Sequence, residues 1–161
     1  LQAAMESLTR ARSLGAIGEY LAGRARRQIT KQRFTKVHAT LERERELVET
    51  LIHDLALGVE DAILRHGKGI IDKQFLQERM ANAAIDIYLA TAVLSRATAE
   101  IERLGGEDAA KAQLDCARIF IPMAYRRARR SIRGLRKHQD ARLKAIAEHA
   151  LETGDLGPDQ G

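Results

Sequence analysis

The 161-residue chain carries 27 Lys and Arg against 22 Asp and Glu, a net charge of +5, with 45% hydrophobic residues, two prolines and one cysteine. This length suits one domain able to bury a core without disulfide or metal staples, and the lone Cys116 excludes an internal disulfide and fits a reducing compartment. No run reaches the roughly eighteen apolar residues of a membrane span, since the longest, Ala83 to Leu94, contains Asp86, and no basic-then-apolar secretory leader follows Leu1.

In chain order, Gly15, Gly18 and Gly23 interrupt the amphipathic pattern of Leu8, Leu14, Ile17, Leu21 and Ala25, so residues 1–33 read as a basic connecting segment of marginal helicity. Val37, Leu41, Val48, Leu51, Ile52, Leu55, Val59 and Ile63 recur at three- and four-residue steps and predict a long helix from about Lys31 to Arg65. His66-Gly67-Lys68-Gly69 should end it, and Asp72 is the expected N-cap of the next. That second helix carries Phe75, Leu76, Met80, Ala83, Ala84, Ile87, Leu94 and Ile101 until Gly105-Gly106 stops it.

A third helix is expected from Glu107 towards Leu135, through Leu114, Cys116, Ile119, Phe120, Met123 and Ala124, with Pro122 kinking or breaking it. A last helix runs from Asp140 to about Leu151 with Leu143, Ile146, Ala147 and Ala150 on one side. Residues 153–161 read as an acidic flexible tail. No segment alternates as a half-buried strand does. Four helices with short connections predict an all-α, antiparallel up-down four-helix bundle over residues 34–152.

Sites for chemistry are absent at this level. No glutamate precedes a histidine by three residues, and there is no His-Glu-x-x-His, cysteine pair, P-loop or dinucleotide glycine fingerprint, so no catalytic, cofactor or metal residue is assigned. His53, four residues after Glu49, is either its partner or a solvated side chain. Cys116 on its apolar stripe reads as a small buried hydrophobe. Asp86, flanked by Ile85, Ile87 and Leu89, reads as an acid in a structural ion pair with an arginine of another helix, or as a solvent-side acid.

Positive charge gathers twice, which points to an anionic partner: lipid headgroups, nucleic acid or an acidic protein face. Arg24, Arg26, Arg27, Lys31, Arg33 and Lys36 follow Ile17, Tyr20 and Leu21, the composition of an interfacial membrane segment or of a solvated linker. Ile17, Tyr20, Leu21, Arg24, Arg26 and Arg27 are the residues assigned to membrane or partner contact. The second cluster is Arg126, Arg127, Arg129, Arg130, Arg133, Arg136 and Lys137, followed by Arg142 and Lys144; on a helix, Arg126, Arg129, Arg130, Arg133 and Lys137 share one face, where like charges repel. Glu42, Glu44, Glu46 and Glu49 are the expected internal partners. Nucleic acid is disfavoured, because aromatics make up only 4% and no recognition motif is present.

The stretch from His66 to Ala97 resembles the C-terminal extension of the very-long-chain acyl-CoA dehydrogenases, a family that includes a paralogue involved in respiratory complex I assembly. The resemblance rests on Lys68-Gly69-Ile70, Gln74-Phe75-Leu76, Arg79, Ala84-Ile85-Asp86 and Leu94-Ser95-Arg96-Ala97. It weakens through Cys116, Ala128 to Leu135 and the last helix. Leu1-Gln2 is similar to the end of the dehydrogenase domain proper, and Gly15 to Arg27 to the segment linked with membrane association. Asp72 stands where the family usually has asparagine, and a nearly continuous helical pattern replaces a Gly/Ser/Pro-rich gap.

The resemblance implies a non-catalytic helical domain appended to a FAD-dependent dehydrogenase of fatty-acid β-oxidation. FAD and the catalytic glutamate would lie upstream, in the parent. It further implies dimer support, docking to an anionic membrane or an acidic protein, and residence in the cytoplasm or mitochondrial matrix, peripheral to the inner membrane. The rival reading is a stand-alone basic helical module that binds nucleic acid or an acidic protein.

Overall fold

The computed structural model describes Gly23 and residues 33–154, and every described element is helical. Helix α1 spans Glu42–His66, α2 Gln74–Leu104, α3 Lys111–Gly134 and α4 Asp140–Thr153. A short 3-10 turn, Ala39–Leu41, leads into α1, and a second, Gly67–Asp72, joins α1 to α2. Connections this short force successive helices to run up and down.

The core lies where α1, α2 and α3 meet. Leu41, Val48, Leu94, Ile101, Leu114 and Ile121 are its large members, each nearly or wholly sealed from solvent. Against them α2 sets Ala83, Ala90 and Ala97, and α3 sets Ala117 and Ala124 with Ala110 just before its first residue. Each alanine recurs at seven residues, and four residues after it comes Ile87, Leu94 and Ile101 on α2, then Leu114, Ile121 and Ala128 on α3. Small residues at every other seam position let two helices approach closely while the large ones fill the space beside them. Leu76, Ala62 and Leu135 close the far end.

Several boundaries differ from those the sequence suggests. Residues 33–38 are not helical, because their backbone finds partners elsewhere: Phe34 N–H donates to the buried Glu49 carboxylate at 2.7 Å, and His38 N–H to Thr98 Oγ1 at 3.3 Å. Those bonds lay Phe34 and Val37 onto the core. Asp72 is not an N-cap; it ends the 3-10 turn, and Lys73 precedes α2 without a side-chain cap. Helix α3 begins at Lys111, not Glu107, because Glu107 instead accepts from the Thr40 hydroxyl beside α1. It then runs unbroken through Pro122, giving up only one intrahelical bond there. Gly105 ends α2 as expected, in the left-handed conformation at φ 78°, with Gly106 N–H returning to the Ile101 carbonyl.

Helix α4 forms over the expected residues, yet none of them is buried. Leu143, Ile146 and Leu151 are all exposed, Leu151 by 86%. Its apolar stripe therefore contributes little to the core. What ties its first turn to the bundle is an ion pair: Arg79 on α2 donates through both terminal nitrogens to Asp140, at 2.7 and 2.5 Å.

Candidate functional site

Helix α3 and the turn that follows it carry the densest charge, and the structure sorts their cations into two groups. Arg127 donates through Nε and Nη2 to Asp86 Oδ1 at 2.9 and 2.7 Å, with its guanidinium 5.8 Å from the Phe120 ring centre. The carboxylate is largely buried and the arginine half exposed, so the pair crosses from α3 to α2 at the edge of the core. Arg136 reaches Asp61 on α1 at 3.0 Å, and Arg65 joins the same carboxylate at 3.2 Å.

Arg126, Arg130, Arg133 and Lys137 make no ion pair among the described residues, and all four are exposed. The glutamates expected to neutralise them, Glu42, Glu44, Glu46 and Glu49, make no ion pair with them. Glu42 pairs with Arg45 one turn on, and Glu49 holds Phe34 N–H and lies 3.7 Å from Arg45 Nε. Glu49 is thus a backbone anchor and not the partner of His53. Beside the unpaired cations lies an open groove of about 610 Å³ whose lining includes Arg79, Tyr125, Arg129 and Gly134 and no acidic residue.

Arg79 and Asp140 supply the groove's neutral edge. The Arg79 hydrogen bonds hold the Asp140 carboxyl below the usual carboxylate range, burial opposes them, and the charges of Arg79 and His138 add to the lowering. Arg79 is shifted up chiefly by the same hydrogen bonds. On α2, Glu100 is buried between Arg103 and Arg96, with contacts of 2.7 Å to each. Hydrogen bonding to Arg103 keeps its carboxyl low against desolvation, and the charges of Arg103 and Arg96 assist.

Cys116 is exposed, contrary to expectation, because it lies roughly 80–140° around α3 from the buried Ala117, Ile121 and Ala124 and shares the outer face with Ile119 and Met123. No cluster of three His, Cys, Asp or Glu fit to hold a metal ion, and no helix long and apolar enough to cross a membrane, occurs among the described residues. Ile17, Tyr20, Leu21, Arg24, Arg26 and Arg27, assigned from sequence to surface contact, lie outside the described residues, as does most of the acidic tail.

The family described as ACAD9/ACADV, C-terminal domain, matches residues 39–156. The very long-chain specific acyl-CoA dehydrogenase, mitochondrial, of Mus musculus is 32% identical over 124 residues, and that of Macaca fascicularis 34% over 125. Each alignment covers 74% of this chain but 19% of the relative. The Homo sapiens protein of the same name is 44% identical over 62 residues, 38% of this chain and 10% of its own. The chain therefore spans about a fifth of the length of the curated relatives it matches.

Proposed function

Because the chain belongs to the ACAD9/ACADV C-terminal domain family, we propose that it is the non-catalytic helical domain of a larger acyl-CoA dehydrogenase. The supporting observation is the match over residues 39–156, set against relatives five times as long. The parent would be an FAD-dependent dehydrogenase of long-chain acyl-CoA thioesters, resident with its relatives in mitochondria or in the cytoplasm of a cell without them. FAD chemistry belongs to that parent. The groove beside Arg126, Arg130 and Arg133 is open and walled by charged side chains, a poor fit for a planar apolar flavin ring, and no residue of this chain is assigned to the flavin.

In this reading residues 34–152 act as a docking and dimer-supporting body. The segment of Ile17, Tyr20, Leu21, Arg24, Arg26 and Arg27 makes contact with an anionic membrane or acidic partner, and residues 153–161 form a tail. Asp86 and Arg127 serve as a structural pair that fixes α3 on α2.

Deletion of the domain from the parent tests the assignment. Flavin reduction by acyl-CoA under stopped flow is expected to persist, while the dimer measured by sedimentation weakens or vesicle co-sedimentation is lost. Thioester oxidation by the isolated 161 residues would overturn the non-catalytic reading. A deleted parent with unchanged assembly and unchanged vesicle binding would overturn the docking role.

A further inference from the structure

We propose that the outer face of α3 from Ile119 to Arg133, with Lys137 in the turn that follows, is a binding site for a phosphate-bearing amphiphile. Ile119, Met123, Arg126, Arg130, Arg133 and Lys137 follow one another at alternating four- and three-residue steps. Such steps place the first five on one stripe of α3, about 21 Å long from Ile119 to Arg133, and Lys137 follows in the turn after Gly134 and lines the same groove. The stripe is divided: Ile119 and Met123 are exposed by 65% and 44%, and every later member is an exposed cation. Apolar surface at one end and positive charge at the other match a molecule with an apolar part and an anionic head.

The cationic end is prepared for multiply charged oxygen. Like charges three and four residues apart destabilise a helix, and no ion pair among the described residues relieves them. Asp86, Asp61 and Asp140 are spent on Arg127, Arg136 and Arg79, and Asp54 borders Arg129 and Arg133 from α1 without an ion pair to either. Arg129 is held at the groove by its hydrogen bond to the Tyr125 hydroxyl, with its guanidinium 5.5 Å from that ring's centre. Gly134 permits the site: a Cβ there would stand 2.8 Å from Arg79 Cδ, and its absence lets Arg79 lie over α3 and reach Asp140.

Guanidinium groups present paired N–H donors that match phosphate oxygens. A lone carboxylate offers two oxygens to several convergent guanidiniums, whereas a phosphate monoester offers more oxygens and more charge. The phosphate can come from a phospholipid headgroup or from a soluble ester, and the experiment separates them. This site lies on other residues than the segment at 17–27, so each can fail without the other.

The full chain is titrated with inorganic triphosphate, and separately with phosphatidylcholine vesicles with and without phosphatidic acid. Binding is read from the amide signals of 126–137 and the methyl signals of Ile119 and Met123, or by co-sedimentation. The comparison proteins are the triple variant Arg130→Gln/Arg133→Gln/Lys137→Gln and the triple variant Arg24→Gln/Arg26→Gln/Arg27→Gln. At about fivefold per cation, the first variant should bind about a hundredfold more weakly. It should melt no lower than the parent chain, because a repulsive row has been removed.

Shifts on this stripe with triphosphate identify a soluble ester. Binding only to phosphatidic acid vesicles, lost in the α3 variant and kept in the 24/26/27 variant, identifies a headgroup. The proposal is overturned if neither probe moves the α3 signals, if the α3 variant binds as the parent does, or if an oligonucleotide binds and neither phosphate probe does. Signal mapping on the unsubstituted chain stands even if the variant fails to fold.

Discussion

Replacing Asp140 by Asn should loosen α4 and leave the rest of the bundle intact. No residue of α4 is buried, so its attachment rests on the two charge-assisted bonds from Arg79 at 2.7 and 2.5 Å. Exposed pairs are worth about 0.2–1 kcal/mol and hydrogen bonds to charged groups about 1.5–3 kcal/mol. A bidentate pair at the protein's rim, partly screened by water, should lie near 1 kcal/mol, or roughly fivefold in a local opening equilibrium. Amide exchange is the assay: residues 140–153 should exchange about fivefold faster in the variant, with core amides such as Leu94 and Ile121 unchanged. Acid provides a second reading. The Asp140 carboxyl is lower in the folded state than unfolded, so its contribution is complete above the unfolded value near 3.8 and fades as pH falls through the lower folded one. The unsubstituted chain should release α4 in that acid window, and the asparagine variant should show no such step. Equal acceleration of core and α4 amides, or none at all, would refute the view that one ion pair holds this helix.

Leu94→Ala, at a site 2% exposed in the main core, should cost about 2–5 kcal/mol in chemical denaturation, whereas Leu151→Ala at 86% exposure should cost almost nothing. Ala117→Leu forces three more carbons into the alanine seam and should destabilise by about 1–3 kcal/mol; a stabilised variant in thermal melts would mean the seam holds unfilled space. Arg127→Ala strands a largely buried carboxylate and should cost about 1–3 kcal/mol, more than Asp86→Ala, which leaves a half-exposed arginine free to hydrate. The reverse order in denaturant midpoints would contradict the burial seen here.

Features set by local chemistry were readable in the sequence. The end of α2 needs a residue tolerant of φ 78°, and Gly105-Gly106 announced it; the spacing from 126 to 137 gave the cationic face directly. What the sequence could not show was which acids reach across. Asp86 and Asp61 answer Arg127 and Arg136 from other helices, while on α1 Glu49 looks inward and Glu42 to its own turn. Helical spacing also overextended α1 into residues 33–38, where buried Glu49 and Thr98, distant in sequence, capture the backbone. Cys116 was misplaced because a list of apolar residues does not say which side of a three-sided helix each takes. The match of small and large residues at seven-residue intervals was legible, and it is what distinguishes the α2–α3 interface from a generic amphipathic pair.

That repeat carries a degeneracy. Sliding α3 along α2 by seven residues, about 10 Å, would set alanine against alanine again, so apolar packing alone discriminates weakly between registers. Two devices break the tie. The short link from Gly105 to Ala110 is too brief to permit the slip, and the slip would move Asp86 from Arg127 to Phe120 or Gly134, stranding its charge. The polar pair at the edge of the core thus works as an index mark on an otherwise repeating ruler. Lengthening the α2–α3 link and removing Asp86 together, more than either change alone, is the route by which this bundle would come to populate a second alignment.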